Sequence, residues 1–450
     1  MMNRLLVVAL LGGLLLLSTS CSDPTGVGSE LVGSEGQGTP DVYEIVPDSF
    51  GTSTAPALTG FVRSASSFGP QGGQPWRFLV GAVNDPLVGT IEAEGYVDFL
   101  GAASRGGSIA TDPIDSLNAE LRLQPSYFHG DTLSTYEVNL FEVREEADMR
   151  RAPADTSFEV LRQLGSTVSI SGRALTDSVV TLPLPQVWIE DHIEALRADS
   201  FQTAVNGFKI AAANNTPTLS DPQVVAGFDL NSATLRVSAS SDTVNFQSLK
   251  AFTHIERRGN PAISLEDRRL LLDGVGTGLL MSWDYTRPPF SDTLKNTPLN
   301  QADITAPIDD STMEASLDLL GNPPAFTRPG PNGYRVLATR AEGAPSCGRI
   351  GLPQVTDDPD RCILPTNTSA APGAARLTSQ ISFTILEQIL FESALFSTFR
   401  VEIAPRSSPG APAQSTIGRG LPSTLPALVR TDRSLPIEDL PRTTLIVTPL

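Results

Sequence analysis

The chain is poor in several residue types, and each scarcity narrows what it can do. Its 450 residues include only three histidines and three cysteines, and 6% of the chain is aromatic. Serine-hydrolase and zinc chemistry both draw on histidine as base or ligand, and His129, His192 and His254 are the whole supply. Neither a His-Glu-x-x-His pair nor a Gly-x-Ser-x-Gly elbow occurs. Lysine is rarer still in proportion: Lys209, Lys250 and Lys295 stand against 29 arginines. Basic residues are outnumbered overall, and the formal charge is -18, which repels a phosphate backbone and speaks against nucleic-acid binding. Beyond the first twenty residues no apolar run is long enough to cross a bilayer, which takes roughly 20 residues.

The N-terminus carries the strongest signal. Arg4 provides a basic start, and Leu5 to Leu17 is apolar apart from Gly12 and Gly13. Such a stretch fits the h-region of a secretory signal. Ser18, Thr19 and Ser20 then lead into Cys21. Small residues before a cysteine match the site where bacteria attach diacylglycerol to the thiol and cleave the leader, although Leu17 lies one step further back than usual. Residues 1–20 are therefore expected to be a lipoprotein signal peptide, with Cys21 lipidated. Two or more acyl chains anchor a protein stably, since each buried methylene contributes about 0.8 kcal/mol. By analogy, Ser22 in place of Asp favours the outer membrane. The expected location is the cell envelope, at either face of that membrane. Residues 21–40 are rich in Gly, Ser, Pro and acid, and read as a flexible tether.

With Cys21 acylated, Cys347 and Cys362 remain as a pair. In an oxidising compartment they are expected to form a disulfide, which stabilises by roughly 3 kcal/mol for a loop of about this size.

Past the tether, alternation of period two dominates. Arg77 to Val83 and Ile91 to Phe99 read as strands around Asn84-Asp85-Pro86. Leu117 to Leu123, Thr135 to Val143, Thr176 to Leu184, Leu230 to Val237, Leu299 to Ile304 and Thr443 to Thr448 continue the pattern. Two segments have helical spacing: Ile189, Ile193 and Leu196, and the run Ile385, Leu386, Ile389, Leu390. The fold class expected is mostly β: two antiparallel β-sandwich (jelly-roll-like) domains with a few short helices, after a disordered lipid tether. The phrase Leu-Asn recurs at 117, 230 and 299, each time opening an alternating run. With the polar stretch Glu256 to Pro261, it places the first domain at 41–258 and the second at 259–450.

The order of motifs resembles an uncharacterised family of Bacteroidota lipoproteins, catalogued as domain of unknown function 4270. The stretches that carry the likeness are CSDPTGVGSELVG at the tether, FLVGAVNDPLVG (Phe78 to Gly89), DPIDSLNAELRL (Asp112 to Leu123), HGDTLSTYEVNLFEV (His129 to Val143), LDGVGTGLL (Leu272 to Leu280) and LNQADITAPI (Leu299 to Ile308). Phe141 stands where that family usually has Tyr, and the Lys-poor composition departs from typical members. The resemblance implies an envelope lipoprotein with a β-rich fold and transfers no active site.

Other candidates have bland readings beside the sharp ones. His192-Ile193-Glu194 and His254-Ile255-Glu256 could each be half a metal site on a strand, but His192 lies in a helical pattern, and both read more simply as locally bonded histidines. Gly274 to Gly278 looks like a nucleotide loop, yet its flanks are strand-like and a turn is the simpler reading. Asp357, Asp358 and Asp360 could draw calcium, though EF-hand spacing is absent and a solvated acidic loop is the default. Trp76, Trp188 and Trp283 could stack on sugars, with Trp188 more simply a packing residue. The expectation is a binding, adhesion or assembly protein without cofactor, metal or catalytic residues, its partners the membrane and an envelope protein or glycan. The alternatives are a lipid-anchored glycan- or peptide-hydrolase and a carbohydrate-binding module.

Overall fold

The computed structural model describes residues 40–54, 61–62, 77–101, 107–146, 149, 152–172, 178–198, 201–273, 275–284, 286–294, 297, 299–321, 326–329, 334–350, 352, 354–355, 358–364, 376–380, 396–403 and 424–447. Cys21, Trp76, Gly274, Asp357 and the helical run around Ile385 lie outside them. The protein is mostly β, in antiparallel, sandwich-like sheets with few short helices.

The chain opens with β1 (Asp41–Ile45), β2 (Ser49–Thr54) and β3 (Phe61–Val62). Next come β4 (Arg77–Asp85), β5 (Gly89–Phe99), β6 (Asn118–Asp131), β7 (Thr135–Val143), β8 (Val160–Gln163), β9 (Val168–Ser171) and β10 (Val180–Pro183). Helix α1 (Gln186–Arg197) precedes β11 (Phe208–Ala212), β12 (Val224–Ser238) and β13 (Thr243–Arg258). The later strands are β14 (Arg268–Leu272), β15 (Thr277–Ser282), β16 (Leu299–Pro307), then helix α2 (Asp310–Ala315), β17 (Phe326–Thr327), β18 (Tyr334–Arg340), β19 (Gln354–Val355), β20 (Asp358–Ile363), β21 (Arg376–Gln380), β22 (Phe396–Ile403), β23 (Pro426–Arg430) and β24 (Arg442–Val447).

Twelve of these strands form one sheet with the path β10-β6-β12-β13-β5-β11-β7-β8, to which β3, β4, β9 and β17 add. An eight-stranded sheet runs β19-β20-β18-β22-β15-β14-β23, with β2 on β15. The third sheet, of four strands, is β1-β24-β16-β21. After Arg258 the chain thus changes sheet, with two exchanges. Strands β1 and β2 pair with β24 and β15, both from the second half of the sequence. In return, β17 pairs with β6 in the twelve-stranded sheet.

The alternation seen in sequence sets what each face buries. On β6, Ala119, Leu121 and Leu123 point into the core while Asn118, Glu120 and Arg122 are more exposed. Two large cores result. One lies within the twelve-stranded sheet and gathers Phe78, Val80, Phe99, Phe208, Phe228 and Phe246. Helix α1 closes over it, burying Trp188, Ile189 and Leu196, with Ile193 half-buried against the same cluster. Full burial of such a side chain contributes about 1.5–3 kcal/mol. The other core joins both halves of the chain: Leu79, Val83 and Ile91 from β4 and β5, with Val88 from the turn between them, pack in one cluster with Leu271, Met281, Val401 and Leu428.

Close approach of backbones requires glycine at several points, among them two on strands neighbouring β12. Gly81 on β4 and Gly130 on β6 flank the start of β12, opposite Val225 and Val224. Both have positive φ, 131° and 123°. A Cβ on Gly81 would stand 1.9 Å from the Val224 carbonyl oxygen, whereas one on Gly259 (φ 70°) meets nothing within 4 Å. We expect Gly259→Ala to cost about 1 kcal/mol through its backbone angle alone. Gly81→Ala is expected to cost at least about 3 kcal/mol, since strain and a backbone collision add. Urea denaturation of the two variants checks the ordering; equal losses would contradict it.

Candidate functional site: three separate histidine clusters

The three histidines do not come together; each sits in its own polar cluster. The deepest surrounds His129. Asp85 ends β4, and its Oδ1 accepts the Leu87 amide at 2.7 Å, closing the turn into β5. Its Oδ2 lies 2.9 Å from His129 Nε2, and because an ionised carboxylate only accepts, that nitrogen carries the proton. On the other side of the ring, Nδ1 is 2.8 Å from Thr424 Oγ1, which is itself 2.9 Å from the Tyr127 hydroxyl. The hydroxyls order themselves accordingly: Tyr127 donates to Thr424, and Thr424 donates to His129. Arg328 then grips Asp85 with two bonds, Nε to Oδ2 at 2.7 Å and a terminal nitrogen to Oδ1 at 2.6 Å. Strand β17 positions this arginine, and Phe326 sets its ring edge-on to His129.

The order Thr424–His129–Asp85 parallels a nucleophile–base–acid relay, but its surroundings give it a different role. All three residues are 0% exposed. Burial alone would discourage ionisation of Asp85, yet hydrogen bonds from His129 and Arg328 outweigh it and hold the carboxyl well below its ordinary range. The arrangement is a buried ion pair between the two halves of the chain.

His192 reaches across to β7. Its Nε2 lies 2.6 Å from Glu142, which also accepts from Arg162 at 3.0 Å, and Arg162 continues to Asp191 at 2.6 Å. Burial opposes the charge on Glu142, but the bonds from His192 and Arg162 lower its pKa on balance. Glu194, next but one in sequence, takes no part in these contacts. The cluster docks α1 onto the edge of the sheet.

The third cluster covers the outer face of the twelve-stranded sheet and is the best candidate for a functional site. Alternate residues of β5 (Glu92, Glu94, Tyr96, Asp98) face the same way. Opposite them on β13 stand Glu256, His254, Phe252 and Lys250, in direct register. Arg258 bridges Glu92 at 2.9 Å and Glu256 at 2.7 Å. Lys209, from β11, meets Glu94 at 2.5 Å. The Lys250 ammonium lies 2.7 Å from Glu146 and 3.9 Å from Asp98. In the middle Tyr96, Phe252 and Phe158 pack with ring centroids 5.1–5.7 Å apart. His254 Nδ1 donates to the Thr156 carbonyl at 2.9 Å, so the loop before β8 lies over this face.

Titration is displaced in both directions here, a pattern that concentrates at functional sites. Burial raises Glu92, and a hydrogen bond from Arg258 lowers Glu256. Burial also pushes Asp98 up to about 6, against the Phe99 amide and Lys250. Glu92 and Glu256 resemble the paired carboxylates of a glycosidase in proximity, but the Arg258 guanidinium fills the space between them. The carboxylate row was legible in the alternation of IEAEGYVDF; its basic partners, over a hundred residues away, were not.

The remaining candidates fall elsewhere. Cys347 and Cys362 are joined by a disulfide, with Cα atoms 5.4 Å apart and both residues in the shared core. Asp360 pairs with Arg340 at 2.6 Å. Within the Gly-rich stretch, Thr277 opens β15 and pairs with Leu272 of β14. Trp188 is buried against His192 and Phe208, and Trp283 is buried against Phe399. Among the described residues no group of three or more His, Cys, Asp or Glu side chains could hold a metal ion.

No family model matches the chain, and neither does any curated protein. Among solved structures it is similar to a candidate secreted protein from Parabacteroides distasonis ATCC 8503, at 8% identity and a TM-score of 0.21, over 88% of this chain and 99% of that one. A likeness at that level carries no assignment of fold or function.

Asp85→Ala strands Arg328 and His129 in the interior and is expected to cost about 3–5 kcal/mol in urea denaturation. The pH dependence follows from the same geometry. The folded pKa of Asp85 lies below its unfolded value near 4, so its contribution is complete above about pH 4 and is lost as pH falls toward the folded value. Wild type should therefore lose stability more steeply than Asp85→Ala on acidification below about pH 4; parallel curves would contradict the ion pair.

Proposed function

We propose that this chain is an exported protein of the bacterial cell envelope, held at the outer membrane by lipid on Cys21, and that its β-rich body acts in binding, adhesion or envelope assembly. The observation that carries the reading is the apolar leader Leu5 to Leu17 running into small residues and Cys21. The buried disulfide between Cys347 and Cys362 supports it, since such bonds persist in oxidising compartments outside the cytoplasm. Among the described residues no helix is long and apolar enough to cross a membrane, so attachment through an N-terminal lipid fits the rest of the chain. The partner on this reading is an envelope protein or a glycan.

Metabolic labelling with an alkyne analogue of palmitate tests the tether. Wild type is expected to incorporate label and sediment with membranes, and Cys21→Ala to lose the label. Label retained in the Cys21→Ala variant would overturn the proposal.

A further inference from the structure

In a chain with 29 arginines, the three lysines invite a reason for each. For ion pairing alone arginine serves as well or better; what lysine adds is an amine that can lose its proton and act as a nucleophile. Lys209 and Lys250 both stand on the outer face of the twelve-stranded sheet, against carboxylates.

Lys250 has the geometry for bond formation. It is the direct register partner of Asp98 across an antiparallel pair, so the two side chains leave the sheet on one side with their Cβ atoms about 5 Å apart. Its Nζ stands 3.9 Å from Asp98 Oδ2 and 2.7 Å from Glu146 Oε1. Asp98 Oδ1 accepts the Phe99 amide at 2.7 Å, a donor placed on the oxygen that would gain charge during attack. The next pair along the same face is Tyr96 with Phe252, both fully buried and packed with Met149 and Phe158. That apolar wall flanks the amine and the acid on one side, and each of the two side chains is less than a fifth exposed, while Glu146 stands largely in solvent, where it can exchange protons with water.

We propose that the Lys250 amine and the Asp98 carboxyl condense into an intramolecular isopeptide bond, with Glu146 as the proton carrier. Glu146 takes a proton from the ammonium. The free amine then attacks Asp98 Cγ in its protonated acid form, making a C–N bond. The C–O bond to the acid hydroxyl breaks, and that oxygen leaves as water with the proton that Glu146 returns; the second proton on the nitrogen then passes to the Glu146 carboxylate and on to solvent, leaving a neutral amide. One amide, one water and one proton released to solvent form from one ammonium and one acid, and no oxidant or cofactor enters. Burial, by raising Asp98, keeps the acid form populated near neutral pH. The product is a covalent staple between β5 and β13, of use to a protein exposed outside the cell.

Lys209 serves as an internal control, since it stands opposite Tyr96 in register and meets Glu94 only on the diagonal. The test is exhaustive tryptic digestion of the purified, denatured and reduced full-length protein, read by mass spectrometry. The expected result is no cleavage after Lys250 and normal cleavage after Lys209. The peptide Phe78 to Arg105 should be joined to the one running from Val237 through Lys250 to Arg257, lighter by one water than their sum. Lys250→Arg should return the two peptides separately, and Glu146→Gln should prevent or sharply slow their joining. Quantitative recovery from wild type of a free peptide ending at Lys250, with Phe78 to Arg105 unmodified, would overturn the proposal. Undiminished joining in Glu146→Gln would overturn the role of Glu146.

Discussion

The buried charge of Asp85 constrains the whole assembly. A carboxylate in the interior is costly unless every lone pair finds a donor and the charge finds a partner. Here the donors come from three places in the sequence: the Leu87 amide next door, His129 on the neighbouring part of the sheet, and Arg328 from more than two hundred residues away. They are available together only when β17 lies in register along β6 and the segment around Thr424 lies over Tyr127. The ion pair therefore acts as a register pin. Hydrophobic contact between the halves is extensive but tolerant of sliding; a bidentate arginine on a fixed carboxylate is not.

Around that pin the halves exchange strands. β1 and β2 join sheets built from the second half of the chain, while β17 joins the sheet built from its first half. Each exchange satisfies backbone groups that would otherwise lie at an open edge. The core shared by Leu79, Val83 and Ile91 with Leu271, Val401 and Leu428 completes the joint, and the disulfide lies in the same cluster. The outer face of the large sheet is different in kind. It holds closely spaced charges of both signs around an aromatic centre, with lysines used in a chain that otherwise avoids them.

Much of the local structure was readable from residues alone, because alternation reports which side of a strand is buried. Thr135 to Val143 forms a strand at those bounds, and Ile189, Ile193 and Leu196 line the packed side of α1. β6 runs on through Gln124-Pro125 to Asp131, well beyond the expected Leu123, since β12 and β17 supply edge partners that local pattern does not reveal. β13, sixteen residues long, was not anticipated at all: with aromatic, charged and apolar residues mixed on both faces, THIERR does not alternate cleanly. The histidines show the same limit. The His-x-Glu spacing at 192 and 254 offered each histidine a neighbouring glutamate, whereas His192 bonds Glu142, 50 residues away, and His254 bonds the Thr156 carbonyl. Pairing across a sheet depends on register, and register is set by contacts distant in sequence.

If one buried ion pair and one shared core join the halves, the molecule should unfold as a unit. Differential scanning calorimetry of the purified protein measures this directly, by comparing the calorimetric enthalpy with the van't Hoff enthalpy. The account predicts a single transition in which the two agree. Two resolved transitions, with the Asp85→Ala variant altering neither midpoint, would contradict it.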